Sequence, residues 1–163
     1  MSIFRQLFDP TSFTYTYLIA DEATNEAVLI DPVKEQRERD VALLNELGLT
    51  LKFVLETHVH ADHITSAAEL RELTNADTVV GEACGAECAT IQVRHGDVFA
   101  FGSERIETRH TPGHTEGSMS YVWNDRVFTG DALLINACGR TDFQAGDAAT
   151  LYKSLHEQIL SLP

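Results

Sequence analysis

Positive charge is scarce in this chain of 163 residues: 12 Lys and Arg stand against 25 Asp and Glu, for a formal net charge of -13. Nucleic acid and anionic membranes are gripped by clustered cations, so this balance excludes both as partners. Cysteine is scarce too. Cys84, Cys88 and Cys138 are an odd number without paired spacing, which excludes a disulfide framework and points to a reducing, cytoplasmic setting. No apolar run approaches the roughly 18 residues of a membrane span. The opening "MSIFRQLFDP" lacks the apolar stretch of a signal peptide. Repeats, low-complexity tracts and linker-like segments are absent as well. What remains is a chain with 44% hydrophobic residues, enough for the core of a single soluble domain over 1–163.

Apolar patterning divides that domain into elements. "SFTYTYLIAD" and "EAVLIDP" read as two strands joined by a turn at "EATN". A helix is predicted from Lys34 to Leu47, with Val41, Leu44 and Leu47 on one face and Gly48 as its stop. The strand "LKFVLET" delivers a histidine-rich loop, followed by a helix over "ITSAAELRELTNAD" carrying Ile64, Ala67, Leu70 and Leu73. "DTVVGEA", "DVFAFG", "SERIETRHT", "SMSYVW" and "RVFTGDALLI" read as strands, with Asn124-Asp125 in a hairpin turn. A last helix covers "GDAATLYKSLHEQILSL". Strands grouped with flanking helices predict a layered α/β or α+β domain.

Three stretches carry chemistry. "THVHADH" holds His58, His60, Asp62 and His63 within one loop; His58 and His60, two apart, point to the same side of an extended backbone. That much imidazole beside a carboxylate suits a transition metal. "TPGHTEG" offers His114 after a Pro-Gly turn. "FTGDALL" offers Asp131 at the end of an apolar strand, where a carboxylate is poorly solvated without a cation. His95, His110 and His156 lie outside these stretches, although His110 is close enough to "TPGH" to support a ligand. Cys84 and Cys88 read as packing residues.

Taken together, the order His-x-His-x-Asp-His, Gly-His, Gly-Asp resembles the metallo-β-lactamase superfamily, and "GDALLINACGRTDFQ" resembles its persulfide (sulfur) dioxygenase branch. The resemblance covers essentially the whole chain. It implies an αββα sandwich with its metal at one edge of two packed sheets, holding one Fe(II) per chain rather than a zinc pair. The implied ligands are His58, His114 and Asp131, a facial triad of two histidines and a carboxylate that leaves open positions on iron. The implied reaction joins glutathione persulfide, O2 and water to give glutathione and sulfite, in sulfide detoxification.

His60, Asp62, His63 and Thr129 are then expected to support the ligands through hydrogen bonds. Arg140 is a candidate anchor for glutathione carboxylates, with an internal salt bridge to Asp142 or Asp147 as the equal alternative. Cys138 either approaches the substrate sulfur or is a small buried side chain. The family domain continues past "HEQILSLP" into further strands and a helix, so an incomplete C-terminal part is expected, together with part of the glutathione pocket. Two rivals stand beside this reading. One is a glyoxalase II-like thioester hydrolase with two metals, in which Asp131 bridges and His60, Asp62 and His63 are ligands. The other is a truncated, non-catalytic metal-binding domain. A homo-oligomer is left open.

Overall fold

Between Tyr15 and Ile30 the chain alternates apolar residues on two short runs, and the polar segment between them can turn. Asn25 adopts φ 58 and donates its N–H to the Asp21 carbonyl at 2.8 Å, closing the expected hairpin. This holds in the computed structural model, which describes Met1–Pro163. One sheet has six strands in the order β1 (Ser2–Phe8), β2 (Tyr15–Asp21), β3 (Glu26–Ile30), β4 (Thr50–Leu55), β5 (Asp77–Gly81) and β6 (Ile91–Val93). The other has four in the order β10 (Arg126–Phe128), β9 (Met119–Trp123), β8 (Glu104–His110) and β7 (Val98–Phe101). The helices are α1 (Arg37–Glu46), α2 (Ala67–Thr74) and α3 (Ala148–Ser154), the last continuing in a wider π-type turn through Ile159.

The chain forms two compact units that interleave in sequence: Met1–Glu56, His60–Val79 and Ala100–Glu104 in the first; Thr57–Val59, Val80–Phe99 and Arg105–Pro163 in the second. In the first unit, β1, β2 and β3 are antiparallel, and β3, β4 and β5 run parallel. Leu18 and Ala20 of β2, Ala27 and Leu29 of β3, and Leu51 and Val54 of β4 form one core with Leu44 of α1 and Ala67 and Leu70 of α2. Strict alternation would send Leu51 and Val54 to opposite faces, since they lie three apart. A register shift beside Ala27/Val28 resolves this by pairing Leu51 with Ala27 and Phe53 with Val28, so that both apolar residues reach the helices. Gly48, at φ 65, stops α1 as expected.

Several sequence expectations need correction. Leu44 of the α1 face is buried, but Val41 and Leu47 are only half-buried. The second helix begins at Ala67, leaving Ile64 outside it and exposed, and Leu73 is exposed as well. β1 was not foreseen, because its mostly exposed residues show no clean alternation, and β6 is too short for a periodic signal. The strand expected over "RVFTGDALLI" ends at Phe128, because Gly130 takes a left-handed φ of 49 that breaks extended pairing.

Charge inside α1 leads to a pH-dependent prediction. The Asp40 side chain is fully buried; Arg39 Nε and Nη2 each lie 2.9 Å from its Oδ1, while Oδ2 has no partner. Burial, opposed by Arg39, raises its pKa to about 6. A carboxyl whose folded pKa lies above its unfolded value destabilises the fold once deprotonated. The penalty is absent below pH ~4, grows as pH rises towards 6 and is complete above it. The displacement corresponds to a cost of at most about 3 kcal/mol. Asp40→Asn, which mimics the protonated form, is therefore expected to raise stability at pH 7.5 and to lose that advantage near pH 4. Urea titrations at both pH values check it, and no gain at pH 7.5 contradicts it.

In the second unit, β8 and β9 pair antiparallel from Glu107↔Val122 to His110↔Met119, and β9 turns into β10 at Asn124, φ 52, as the Asn-Asp dipeptide predicts. Ile106, Met119, Tyr121, Trp123, Phe128, Leu151 and Ile159 are buried. The long β8–β9 pairing and α3 hold the loops described next.

Candidate metal centre

His58 is buried at the point where an apolar strand gives way to polar residues. Its neighbour Thr57 is tied to β9 by the Met119 N–H, which donates to the Thr57 carbonyl at 2.7 Å. Thr57 Oγ1 also lies 3.0 Å from His58 Nδ1, a contact that fixes the ring's orientation. Gly130 sits against the same threonine: a Cβ there would run into Thr57 Oγ1.

His114 follows Pro112-Gly113, and that turn is built against the last helix. Gly113 has φ 130, and a Cβ on it would collide with the Leu151 backbone. Its carbonyl accepts the Asp147 N–H at 2.8 Å, and Ser154 Oγ donates to the Pro112 carbonyl at 2.7 Å. His114 Nδ1 lies 2.8 Å from the Arg140 carbonyl oxygen. A carbonyl only accepts, so Nδ1 carries the proton and the Nε2 lone pair is free to bind.

Asp131 completes the group on the turn after β10. Its Oδ2 is 3.5 Å from His114 Nε2, the His58 and His114 rings meet edge to face with centroids 4.9 Å apart, and the three ligand atoms lie within 4.8 Å of one another. The Asp131 side chain is 45% exposed, so the poorly solvated carboxylate expected from the sequence is in fact open to water on one side. Two buried imidazoles beside one accessible carboxylate are a donor set that would suit a divalent transition metal.

The rest of the histidine loop lies in the first unit. His60 Nε2 is 3.2 Å from Asp31 Oδ1 and 3.4 Å from Glu56 Oε2. Burial alone would lower the His60 pKa, but these carboxylates outweigh it and raise the value to about 11. Burial pushes Glu56 up, with Asp31 acting in the same direction and hydrogen bonding to His60 against both. Thr65 donates its hydroxyl to the Glu56 carboxylate. His63 Nδ1 lies 3.1 Å from Asp62 Oδ2 and 3.3 Å from Thr14 Oγ1. Against burial, the His63 hydrogen bond holds the Asp62 pKa below its usual range. Ligand atoms of His60, Asp62 and His63 also gather within 4.8 Å, as do those of Asp31, Glu56 and His60.

Other candidates fall elsewhere. Thr129 Oγ1 donates to the Leu133 carbonyl at 2.7 Å, so it shapes the turn bearing Asp131 rather than bonding the carboxylate. Arg140 pairs with Asp142, Nε to Oδ1 at 2.8 Å and Nη2 to Oδ2 at 3.2 Å, with its guanidinium 5.5 Å from the Phe143 ring centre. Of the two acids considered as partners, Asp142 is the one it meets. Cys138 is exposed, which removes the buried-packing alternative, and Cys88 is exposed too. Cys84 donates to the Gly117 carbonyl at 3.2 Å. His110 Nε2 lies 2.9 Å from the Glu116 carbonyl oxygen, His95 accepts the His110 N–H at 3.4 Å, and His156 packs on Tyr152, with ring centres 4.2 Å apart. Sequence reasoning missed Asp31, Glu56, Thr57, Gly130 and the Arg140 carbonyl. Of these only Asp31 and Glu56 left a signal, each as an acid ending an apolar strand.

A model of the metallo-beta-lactamase superfamily matches residues 9–83 and 90–162. The mitochondrial persulfide dioxygenase ETHE1 of Mus musculus is 51% identical over 164 residues, covering 99% of this chain and 64% of that protein. The cytoplasmic hydroxyacylglutathione hydrolase of Arabidopsis thaliana is 36% identical over 157 residues, covering 91% of this chain and 59% of its own length. The chain thus spans less than two thirds of the length of either relative. The crystal structure of ETHE1 from Myxococcus xanthus matches with a TM-score of 0.96 at 58% identity, covering 99% of this chain and 71% of that one. The expected fold is the one the chain adopts. The chain belongs to the metallo-beta-lactamase superfamily, on its ETHE1-like branch.

Proposed function

We propose that this chain is a non-haem iron enzyme, a persulfide dioxygenase that converts glutathione persulfide, O2 and water to glutathione and sulfite, using one Fe(II) on His58, His114 and Asp131. It acts in a reducing, cytoplasmic compartment to clear sulfide. The observation that carries the reading is the gathering of two buried imidazoles and one carboxylate within 4.8 Å, on a chain 51% identical to a persulfide dioxygenase. Iron held by these donors would supply the redox capacity that O2 activation requires, which zinc lacks.

The chain's own residues prepare that chemistry. Thr57 and the Arg140 carbonyl occupy the Nδ1 atoms of the two histidines, so each ring is oriented before metal arrives. Burial of both rings keeps competing water from their binding edges, while half-exposed Asp131 leaves one side open to substrate. Arg140 and Cys138 lie on the exposed segment after Asp131. In a chain of net charge -13, the Arg140 guanidinium is a local attraction for glutathione carboxylates, in exchange with Asp142.

A hydrolase reading has one observation in its favour, the second gathering of His60, Asp62 and His63, and an Arabidopsis thaliana relative named as a hydroxyacylglutathione hydrolase. One experiment separates the two. The full chain, reconstituted anaerobically with one Fe(II), is mixed with glutathione persulfide in an oxygen electrode. Oxygen uptake matched one-to-one by sulfite is expected, with none from the zinc-loaded protein. Thioester hydrolysis without oxygen uptake would overturn the proposal.

A further inference from the structure

The segment after Asp131 leaves the metal centre and returns to it. It runs outward through Leu134, Ile135, Asn136 and Cys138, all exposed, with Leu134 and Ala137 bridged across a tight bend and Asn136 at φ 60. It then comes back at two consecutive residues. The Gly139 N–H donates to the Asp131 carbonyl at 2.7 Å, and the Arg140 carbonyl accepts from His114 Nδ1 at 2.8 Å. Between these bonds Gly139 is buried and has no room for a side chain: a Cβ would meet the Asp131 carbonyl oxygen, His114 Nδ1 at 2.8 Å and Asp131 Cβ at 3.0 Å.

We infer that the Gly139 N–H and the Arg140 carbonyl, on two successive residues, form a clasp that positions two of the three proposed metal-binding side chains, one through its backbone and one through its ring tautomer, and that glycine is required for it to close. The inference rests on His58, His114 and Asp131 being the metal site, and not on which metal or reaction the site serves. Three physical steps lead to it. An N–H to carbonyl bond at the base of the bend restrains the Asp131 backbone, and with it the direction in which the carboxylate leaves the chain. A carbonyl acceptor on Nδ1 holds the proton there and the lone pair on Nε2, so the ring does not have to be reoriented on binding. Successive residues supplying the two bonds couple them, because neither can shift without its neighbour. The role of Arg140 thereby divides: its carbonyl serves the metal site, and its guanidinium, on Asp142 and Phe143, does not take part in the clasp.

The division supplies the test, with Zn(II) as the probe so that neither iron nor turnover enters. Zn(II) affinity is measured by chelator competition for the full chain, for Gly139→Ala and for Arg140→Ala. Ring nitrogens are followed by 15N-labelled NMR on the metal-free and zinc-loaded proteins near pH 8. The intact chain is expected to show His114 protonated on Nδ1 in both states, with a slowly exchanging ring proton. Gly139→Ala is expected to weaken Zn(II) binding roughly 10- to 100-fold and to lose that slow proton. Arg140→Ala, which keeps the carbonyl, is expected to retain both. An Nε2-protonated His114 in the metal-free chain overturns the clasp even if Gly139→Ala does not fold, as does unchanged Zn(II) affinity in folded Gly139→Ala. Failure of the intact chain to bind Zn(II) would instead overturn the assignment of the site itself.

Discussion

Replacing either imidazole of the triad, in His58→Ala or His114→Ala, is expected to leave the purified chain with almost no iron. On the proposed ligand set each removes one of three donors, and the two that remain would bind far less tightly than three. The loss should be complete at the micromolar metal concentrations used in purification, whereas weakening a supporting hydrogen bond costs roughly 10- to 100-fold in affinity. Both rings are buried against bonded partners, Thr57 and the Arg140 carbonyl, so neither variant strips a charge from the core. Circular dichroism should therefore show a folded chain. Iron measured by elemental analysis at more than half the wild-type ratio in either variant would show that the ligand set is drawn wrongly. Two zinc ions per chain in protein purified without added metal would count against the single-metal reading in the same way.

His60→Ala is expected to do the opposite, keeping most of the iron and losing the fold's stability. His60 stands between two buried carboxylates, at 3.2 Å from Asp31 and 3.4 Å from Glu56, and Asp31 is held at a left-handed φ of 50. Alanine removes the cation between them and leaves two buried acids facing each other. Breaking a buried ion pair from one side typically costs about 3–5 kcal/mol. Denaturant unfolding of His60→Ala should show a loss on this scale, and the triple variant Asp31→Asn, Glu56→Gln, His60→Ala should recover part of it by removing the stranded charges. Loss of iron equal to that in His58→Ala would make His60 a ligand and favour the two-metal reading.

The candidate ligands were legible because their chemistry is conspicuous: four side chains of metal-binding type in seven residues, a histidine after Pro-Gly, and an aspartate after an apolar strand. Their supports were not. Thr57 and Gly130 look like ordinary loop residues until Gly130 is seen packed on the threonine that occupies His58 Nδ1. The Arg140 carbonyl could not be read from any side chain, since every residue offers the same backbone atom. Asp31 ends an apolar strand before a proline and reads as a turn former. Its carboxylate meets a histidine 29 residues away, a contact that sequence spacing does not reveal.

The elements divide along the same line. Hairpins at "EATN" and "WNDR", the helix stop at Gly48 and the apolar runs of β2, β3 and β4 follow from local propensity and spacing, which a chain carries wherever it folds. The same local chemistry determined that His58, His114 and Asp131 suit a metal. Tertiary structure alone decided the rest. It paired β3 with β4 through a register shift that brings Leu51 and Val54 to one face, set the Arg140 carbonyl on His114 Nδ1 and placed the Asp31 and Glu56 carboxylates about His60. Each depends on which distant backbone atom or charge comes within about 3 Å, and hydrogen bonds and packing have no reach along the sequence by which that partner could be read in advance.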